Sequence, residues 1–180
     1  MISDTSQVSD NKARSRIAVN DANLFIDLWE MKLLEIFFQL PLVFHTTQLI
    51  LNELEAEQLK DLLGVVEGNY LTVRHLTREE IDRLASLSVQ SRKLSREDLS
   101  VYFYARELDN CMILTGDNRL RKEAQQQGFE VHGILWVFEQ LVDNHLLNKA
   151  EAIFILKQLM KMNLWLPVEE CKRLIERWEE

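Results

Sequence analysis

The sequence predicts an α/β fold, a three-layer α/β/α domain around a central parallel β-sheet. Short apolar runs, Ile17-Ala18-Val19-Asn20, Leu42-Val43-Phe44-His45 and Cys111-Met112-Ile113-Leu114, alternate with longer stretches of helical spacing, the pattern of strands joined by crossover helices. The run from Cys111 to Leu114 is apolar throughout, as a strand covered on both faces must be. Two of the runs lead into an acid, Asp21 directly and Asp117 after a Thr-Gly step. In open α/β sheets ligands bind at the carboxyl edge, where these acids would emerge.

In chain order, residues 1–16 are polar, with scattered Ser, Asp and Asn, and read as a disordered or frayed tail; residues 17–180 read as a single domain. Ile17–Asn20 is the first strand. Leu24 to Leu40 reads as one helix ended by Pro41, since proline cannot continue it. Leu42–His45 is the second strand, and Thr46 and Thr47 are good N-caps for a helix from Gln48 to about Leu63, in one piece or two. Gly64–Asn69 reads as a loop and Tyr70–Val73 as a third strand. Thr77-Arg78-Glu79-Glu80 is a capping box opening a helix to about Ser88. Ser91–Lys93 is a basic turn, and Ser95 caps a helix from Arg96 to Leu108. After the fourth strand, Cys111–Leu114, comes a turn, Thr115–Asn118, and a helix from Arg119 that stops at Gly128. Phe129–Val131 is a fifth strand. Helices follow over Leu135–Val142 and Ala150–Met162, and a last one begins at Pro167.

The chain carries 21 Lys and Arg against 29 Asp and Glu, net −8. Alone, this argues against a nucleic-acid partner, because phosphate contacts are led by cationic side chains. Acids that converge to hold cations reverse that local sign. Cys111 and Cys171 lie far apart, and Cys111 sits in an apolar run, so free thiols in a reducing cytoplasm are expected. No apolar stretch of about 18 residues exists, and the N-terminus lacks the apolar centre of a signal peptide.

Four acids are candidates for one metal site: Asp21, Glu53, Asp98 and Asp117. Asp21 and Asp117 follow strands, Asp98 opens the helix before the fourth strand, and Glu53 lies in the helix after the second. Oxygen ligands of this kind suit Mg²⁺ or Mn²⁺, which stabilise in-line displacement at phosphorus. A nucleophile elbow, a phosphate-binding glycine loop and a CxxC motif are all missing from the sequence.

The set resembles the PIN domain, a family of metal-dependent ribonucleases that includes the VapC toxins. The resemblance runs through Val19-Asn20-Asp21-Ala22-Asn23-Leu24, then Thr46-Thr47 with Glu53 six residues on, then Leu94 to Ser100 around Asp98, then Ile113-Leu114-Thr115-Gly116-Asp117-Asn118-Arg119-Leu120-Arg121, and finally Gly128 to Gly133. It covers roughly Ile17 to Val142, and the paired helices beyond look like the tail of one bacterial subgroup. The resemblance implies that Asp21, Glu53, Asp98 and Asp117 are the catalytic acids and metal ligands, with Asn23 and Thr115 orienting them. It also implies an RNA substrate, a separate antitoxin protein if the chain is a VapC-type toxin, and a homodimer, for which the apolar helix segment Ile153–Leu156 offers a contact.

Each residue also has an ordinary role. Asp21 and Asp117 fit N-cap or turn positions, and Asp98 fits a capping box with Ser95. Glu53 has Glu55 and Glu57 on the same helix and could belong to a solvated acidic face; Glu55 lies about 200° from Glu53, so only one of the two can face the site. Asp27 reads as surface, Glu97 as solvated and His45 as structural. Arg119, Arg121 and Lys122 read as a solvated face, with phosphate contact by Arg119 and Arg121 the alternative. The rival functions are a non-catalytic RNA- or protein-binding module and, lower, a receiver domain or haloacid-type phosphatase. Those last two want acid pairs where this chain has Asn20-Asp21 and Asn23.

Overall fold

The computed structural model describes residues 16–91 and 93–180. Five strands, β1 (Arg16–Asn20), β2 (Leu42–Thr47), β3 (Leu71–Arg74), β4 (Cys111–Leu114) and β5 (Glu130–His132), form one sheet in the order β3-β2-β1-β4-β5. Every pairing is parallel. The connecting helices are α1 (Ala22–Glu30), α2 (Leu34–Phe37), α3 (Gln48–Leu51), α4 (Ala56–Glu67), α5 (Arg78–Ser91), α6 (Arg96–Glu107), α7 (Asn118–Gln126) and α8 (Ile134–Asp143), followed by the pair α9 (Lys149–Met162) and α10 (Val168–Glu179). α6 lies across β1, β2 and β4, with α5 and α7 beside it; α1, α2, α8 and α9 are joined in a second layer, to which α10 adds through α9. This is the three-layer α/β/α arrangement with a central parallel sheet. Among the described residues no helix is long and apolar enough to cross a membrane.

The strand order places a switch point between β1 and β4. The chain winds outward from β1 through β2 to β3, then returns to β4 on the other side of β1. Crevices form at the carboxyl ends of strands flanking such a reversal. The register fixes the level of that edge: Asn20 pairs with Leu114, and Leu114 with His132. The next residues, Asp21, Thr115 and Gly133, therefore leave the sheet together. The strand interior is held by full burial of Val19, Met112, Ile113 and Leu114. Between α1, α2 and β2, four phenylalanines interlock, with ring centroids 4.6 Å apart for Phe37–Phe44 and 5.1 Å for Phe37–Phe38.

Several boundaries differ from the sequence reading. The expected tail lies outside the described residues except for Arg16, which opens β1 and pairs with Glu130 on β5. The helix expected over 24–40 is two helices. α1 ends in a Schellman motif, in which Leu33 N donates to Leu28 O at 2.8 Å, Lys32 takes φ 57° and the buried Leu33 supplies the apolar contact. The loop expected at Gly64 is helix. α4 runs on to Glu67 with Val65 and Val66 half-buried, and Asn69 at φ 60° is the residue that ends it. α5 continues to Ser91, and residue 92 of the expected basic turn lies outside the described residues. Pro167 is the N-cap of α10, not its first residue.

Candidate functional site

The β1–α1 junction carries the first acid because the strand ends one residue before it. Asp21 is 4% exposed. Its Oδ1 accepts from Ala22 N at 2.8 Å and its Oδ2 from Thr115 Oγ1 at 2.6 Å. Thr115, itself fully buried, accepts from Asp117 N at 2.9 Å through the same hydroxyl. One side chain thus ties the acid after β1 to the acid after β4. Asn23 Oδ1 accepts from Gly116 N at 2.8 Å, which fixes the turn between Thr115 and Asp117. Asn23 therefore acts on the turn backbone, whereas Thr115 touches the Asp21 carboxylate itself.

Asp117 caps α7, and its Oδ1 takes both Arg119 N (2.7 Å) and Leu120 N (2.8 Å). Asp98 closes a capping box at α6, where Ser95 N donates to its Oδ2 at 2.8 Å and its own N donates to Ser95 Oγ at 2.9 Å. The ordinary roles foreseen for these acids are therefore real. They do not exclude a ligand role, since each cap engages one carboxylate oxygen and so aims the other. The start of α6 is in turn tied to β2 by Thr47 Oγ1 and Ser100 Oγ, 2.7 Å apart and both buried.

Glu53 is placed differently from the expectation. It lies in the exposed turn between α3 and α4, its backbone N donating to Ile50 O at 3.1 Å and its carboxylate without a hydrogen bond among the described residues. Glu55 is the N-cap of α4, so the shared acidic helix face does not exist. Two residues were missed. Glu97, expected to be solvated, is only 19% exposed at its side chain, pairs with Arg96 at 2.6 Å and presses its charge on Glu53. Asp27, expected at the surface, is half-buried and accepts from Asn163 Nδ2 at 3.0 Å. Its spacing of four from Asn23 was the available signal, because it puts both on one face of α1.

The electrostatics join the four acids. Burial raises Asp21 to about 6, and the charges of Asp98 and Asp117 add to that against the pull of Thr115 and Ala22. Desolvation raises Glu53 to about 7, helped by Asp21, Glu97 and Asp98 and opposed by Arg96. Like charges crowd one edge, where Arg96 offsets part of the charge on Glu53, and an all-oxygen donor set of this kind fits a hard divalent cation. Among the described residues no three His, Cys, Asp or Glu side chains already stand close enough to grip one ion. The acids share an edge without being drawn into a finished ligand sphere.

His45 sits in β2, its Nδ1 2.7 Å from Tyr104 Oη and its ring stacked on that tyrosine, so its role is structural. Cys111 and Cys171 are free thiols. Arg119 is exposed in the first turn of α7, while Arg121 is half-buried.

A family model described as a PIN domain matches residues 17–180. No curated protein matches the chain. The fold that goes with this description is a nuclease-type fold. On the match over nearly its whole length, the chain belongs to the PIN-domain family.

Proposed function

We propose that this PIN domain is a metal-dependent ribonuclease that hydrolyses RNA phosphodiester bonds with Mg²⁺ or Mn²⁺. The observation that carries the reading is the hydrogen-bonded link from Asp21 through Thr115 to Asp117 at the switch point, with Asp98 and Glu53 close enough to press their charges on Asp21 or be pressed by it. Asp21, Glu53, Asp98 and Asp117 hold the metal. When bound, it supplies Lewis acidity to an in-line displacement at phosphorus. Thr115 fixes the Asp21 carboxylate, and Asn23 fixes the turn that carries Asp117. Arg119 and Arg121, the first basic residues after Asp117, are placed to meet substrate phosphates.

The resemblance to VapC supports a further reading, the toxin of a toxin–antitoxin pair in the cytoplasm, blocked by an antitoxin protein. Phe154, 65% exposed on α9, supports a homodimer contact there. The family match over residues 17–180 supports one domain that includes α9 and α10. The second function worth keeping is a non-catalytic RNA- or protein-binding module. Its observation is that among the described residues no three acids stand close enough to hold one ion.

Cleavage of a mixed RNA pool with Mn²⁺ separates the two. The nuclease predicts cleavage that disappears in EDTA and in Asp21→Asn and Asp117→Asn alike. Equal cleavage by all three proteins would sink the site, and Mn²⁺ binding without cleavage would favour the module.

A further inference from the structure

A cavity of about 810 Å³ lies beside the acids and not over them. It meets them at Gly116 and Asn118, the two neighbours of Asp117, and runs from there between the first half of α8 and α10. Its size is that of a ligand site. Arg121 forms part of the floor. Its guanidinium donates to Thr115 O at 2.8 Å and to Val131 O at 3.5 Å. It passes so close to Gly133 that a Cβ there would stand 2.6 Å from Nη2, so this path needs glycine. Among the described residues no carboxylate makes an ion pair with Arg121 or with Arg173, which lines the groove from α10.

The acids of the groove are largely occupied. Asp27 is bonded to Asn163, and Glu139 is paired with Arg177. That leaves Arg121 and Arg173 facing Glu170, in a chain of net charge −8. The walls add aromatic faces. Trp136 stacks on His132 with centroids 4.4 Å apart, and Trp165, between α9 and α10, is 89% exposed with its ring uncovered. Arginines free of ion pairs beside the open ring of Trp165 are what a single strand needs, one for phosphate and the other for base stacking.

We propose that this groove is a nucleotide-binding subsite beside the acids, in which Trp165 stacks a base of the RNA and Arg121 and Arg173 hold its phosphates. The inference rests on the ribonuclease reading for its ligand. It assigns to the α9–α10 pair a substrate role that the four acids do not require. The rival occupant is a second copy of the chain, because Met162 and Leu164 beside Trp165 are also exposed.

The test is fluorescence anisotropy of a labelled RNA decamer with the full chain in EDTA, where the metal-dependent reaction is off. Wild type is compared with Trp165→Ala and Arg173→Glu, both exposed positions whose replacement spares the core. Trp165→Ala is expected to weaken binding about tenfold, the loss of one stacked base. Arg173→Glu should weaken it too and flatten its salt dependence. RNA cleavage in Mn²⁺ is read on the same wild-type sample. If wild type cuts RNA and both variants bind like wild type, the groove proposal fails and the nuclease stands. If the variants lose binding while wild type binds without cutting, the groove stands and the nuclease fails. If wild type neither binds nor cuts, both fall. A dimer that Trp165→Ala turns into monomer, with RNA binding unchanged, also overturns the proposal and makes this face a subunit contact.

Discussion

The two halves of the candidate site are built on different principles. On the β1–β4 side, Asp21 is buried, both of its oxygens are bonded, and Thr115 locks it to the turn that carries Asp117. On the α3–α6 side, Glu53 stands in an exposed turn with its carboxylate free of hydrogen bonds among the described residues, and Asp98 is held only through its cap. The first half is part of the fold's own structure, so its chemistry is set when the sheet forms. The second half is held loosely and is free to close on a cation. Substitutions in the two halves should therefore read out differently, the first as changes in stability of either sign and the second as changes in binding.

The largest effect belongs to Asp21. Its folded value is about 6 against an ordinary 3.8. A raised carboxyl value means that the folded state tolerates the neutral acid better than the charge. The associated stability is present below the unfolded value and is lost as pH rises through 6. A shift of about two units corresponds to about 3 kcal/mol. In EDTA, Asp21→Asn should thus gain on wild type by up to about 3 kcal/mol at pH 8 and hardly at all at pH 4. Asp27, also raised to about 6 by burial, titrates in both proteins and cancels from the comparison. Denaturant unfolding at the two pH values reads the difference. A variant equally destabilised at both would show that the buried charge is not strained.

Thr115→Val sharpens the same half. It removes the donor to Asp21 Oδ2 and the acceptor of Asp117 N, leaving buried polar groups without partners. The cost should be about 2 kcal/mol. Because the threonine bond lowers Asp21, its loss should also move the pH at which stability falls to a value above 6. A stability loss with an unmoved pH profile would mean that Thr115 only fills space.

How much of this was legible in the sequence follows the same division. The strands and the locked half were readable, because apolar runs and the acids directly after them carry the information locally. The capping boxes Thr77–Glu80 and Ser95–Asp98 were also readable, and both form. The ends of α1 at Lys32 and of α4 at Asn69 were not. Schellman-type ends occur at Lys32, Asn69, Gly128 and His145, where the next residue's N donates five positions back to Leu28, Val65, Ala124 and Leu141. Only Gly128 advertises the left-handed conformation. At Lys32 the buried Leu33 sets the turn through tertiary packing, which no local propensity encodes. Glu53 was misplaced onto a helix for the same reason, since the break between α3 and α4 has no glycine or proline to announce it. Arg121 in its groove depends on Gly133, twelve residues on, and becomes visible only when α7 packs on β5.

The smallest stability effect, and the sharpest test of the open half, is Glu53→Gln. The side chain is exposed and makes no hydrogen bond among the described residues, so at pH 4, where the acid is largely neutral in the folded and the unfolded chain alike, unfolding in EDTA should change by no more than about 0.5 kcal/mol. Metal affinity should behave otherwise. A carboxylate must be deprotonated to ligate, and Glu53 sits at about 7. Mn²⁺ binding to wild type should therefore strengthen as pH rises through 7 and release protons as it does so. Calorimetric titration in two buffers of different ionisation enthalpy counts those protons. The Gln variant should bind more weakly, release fewer protons near pH 7 and keep only the dependence near 6 that belongs to Asp21. If Glu53→Gln binds Mn²⁺ like wild type with the same proton count, the open half is not part of the metal site. The comparison would then separate a structural acid cluster at the switch point from a solvent-facing turn.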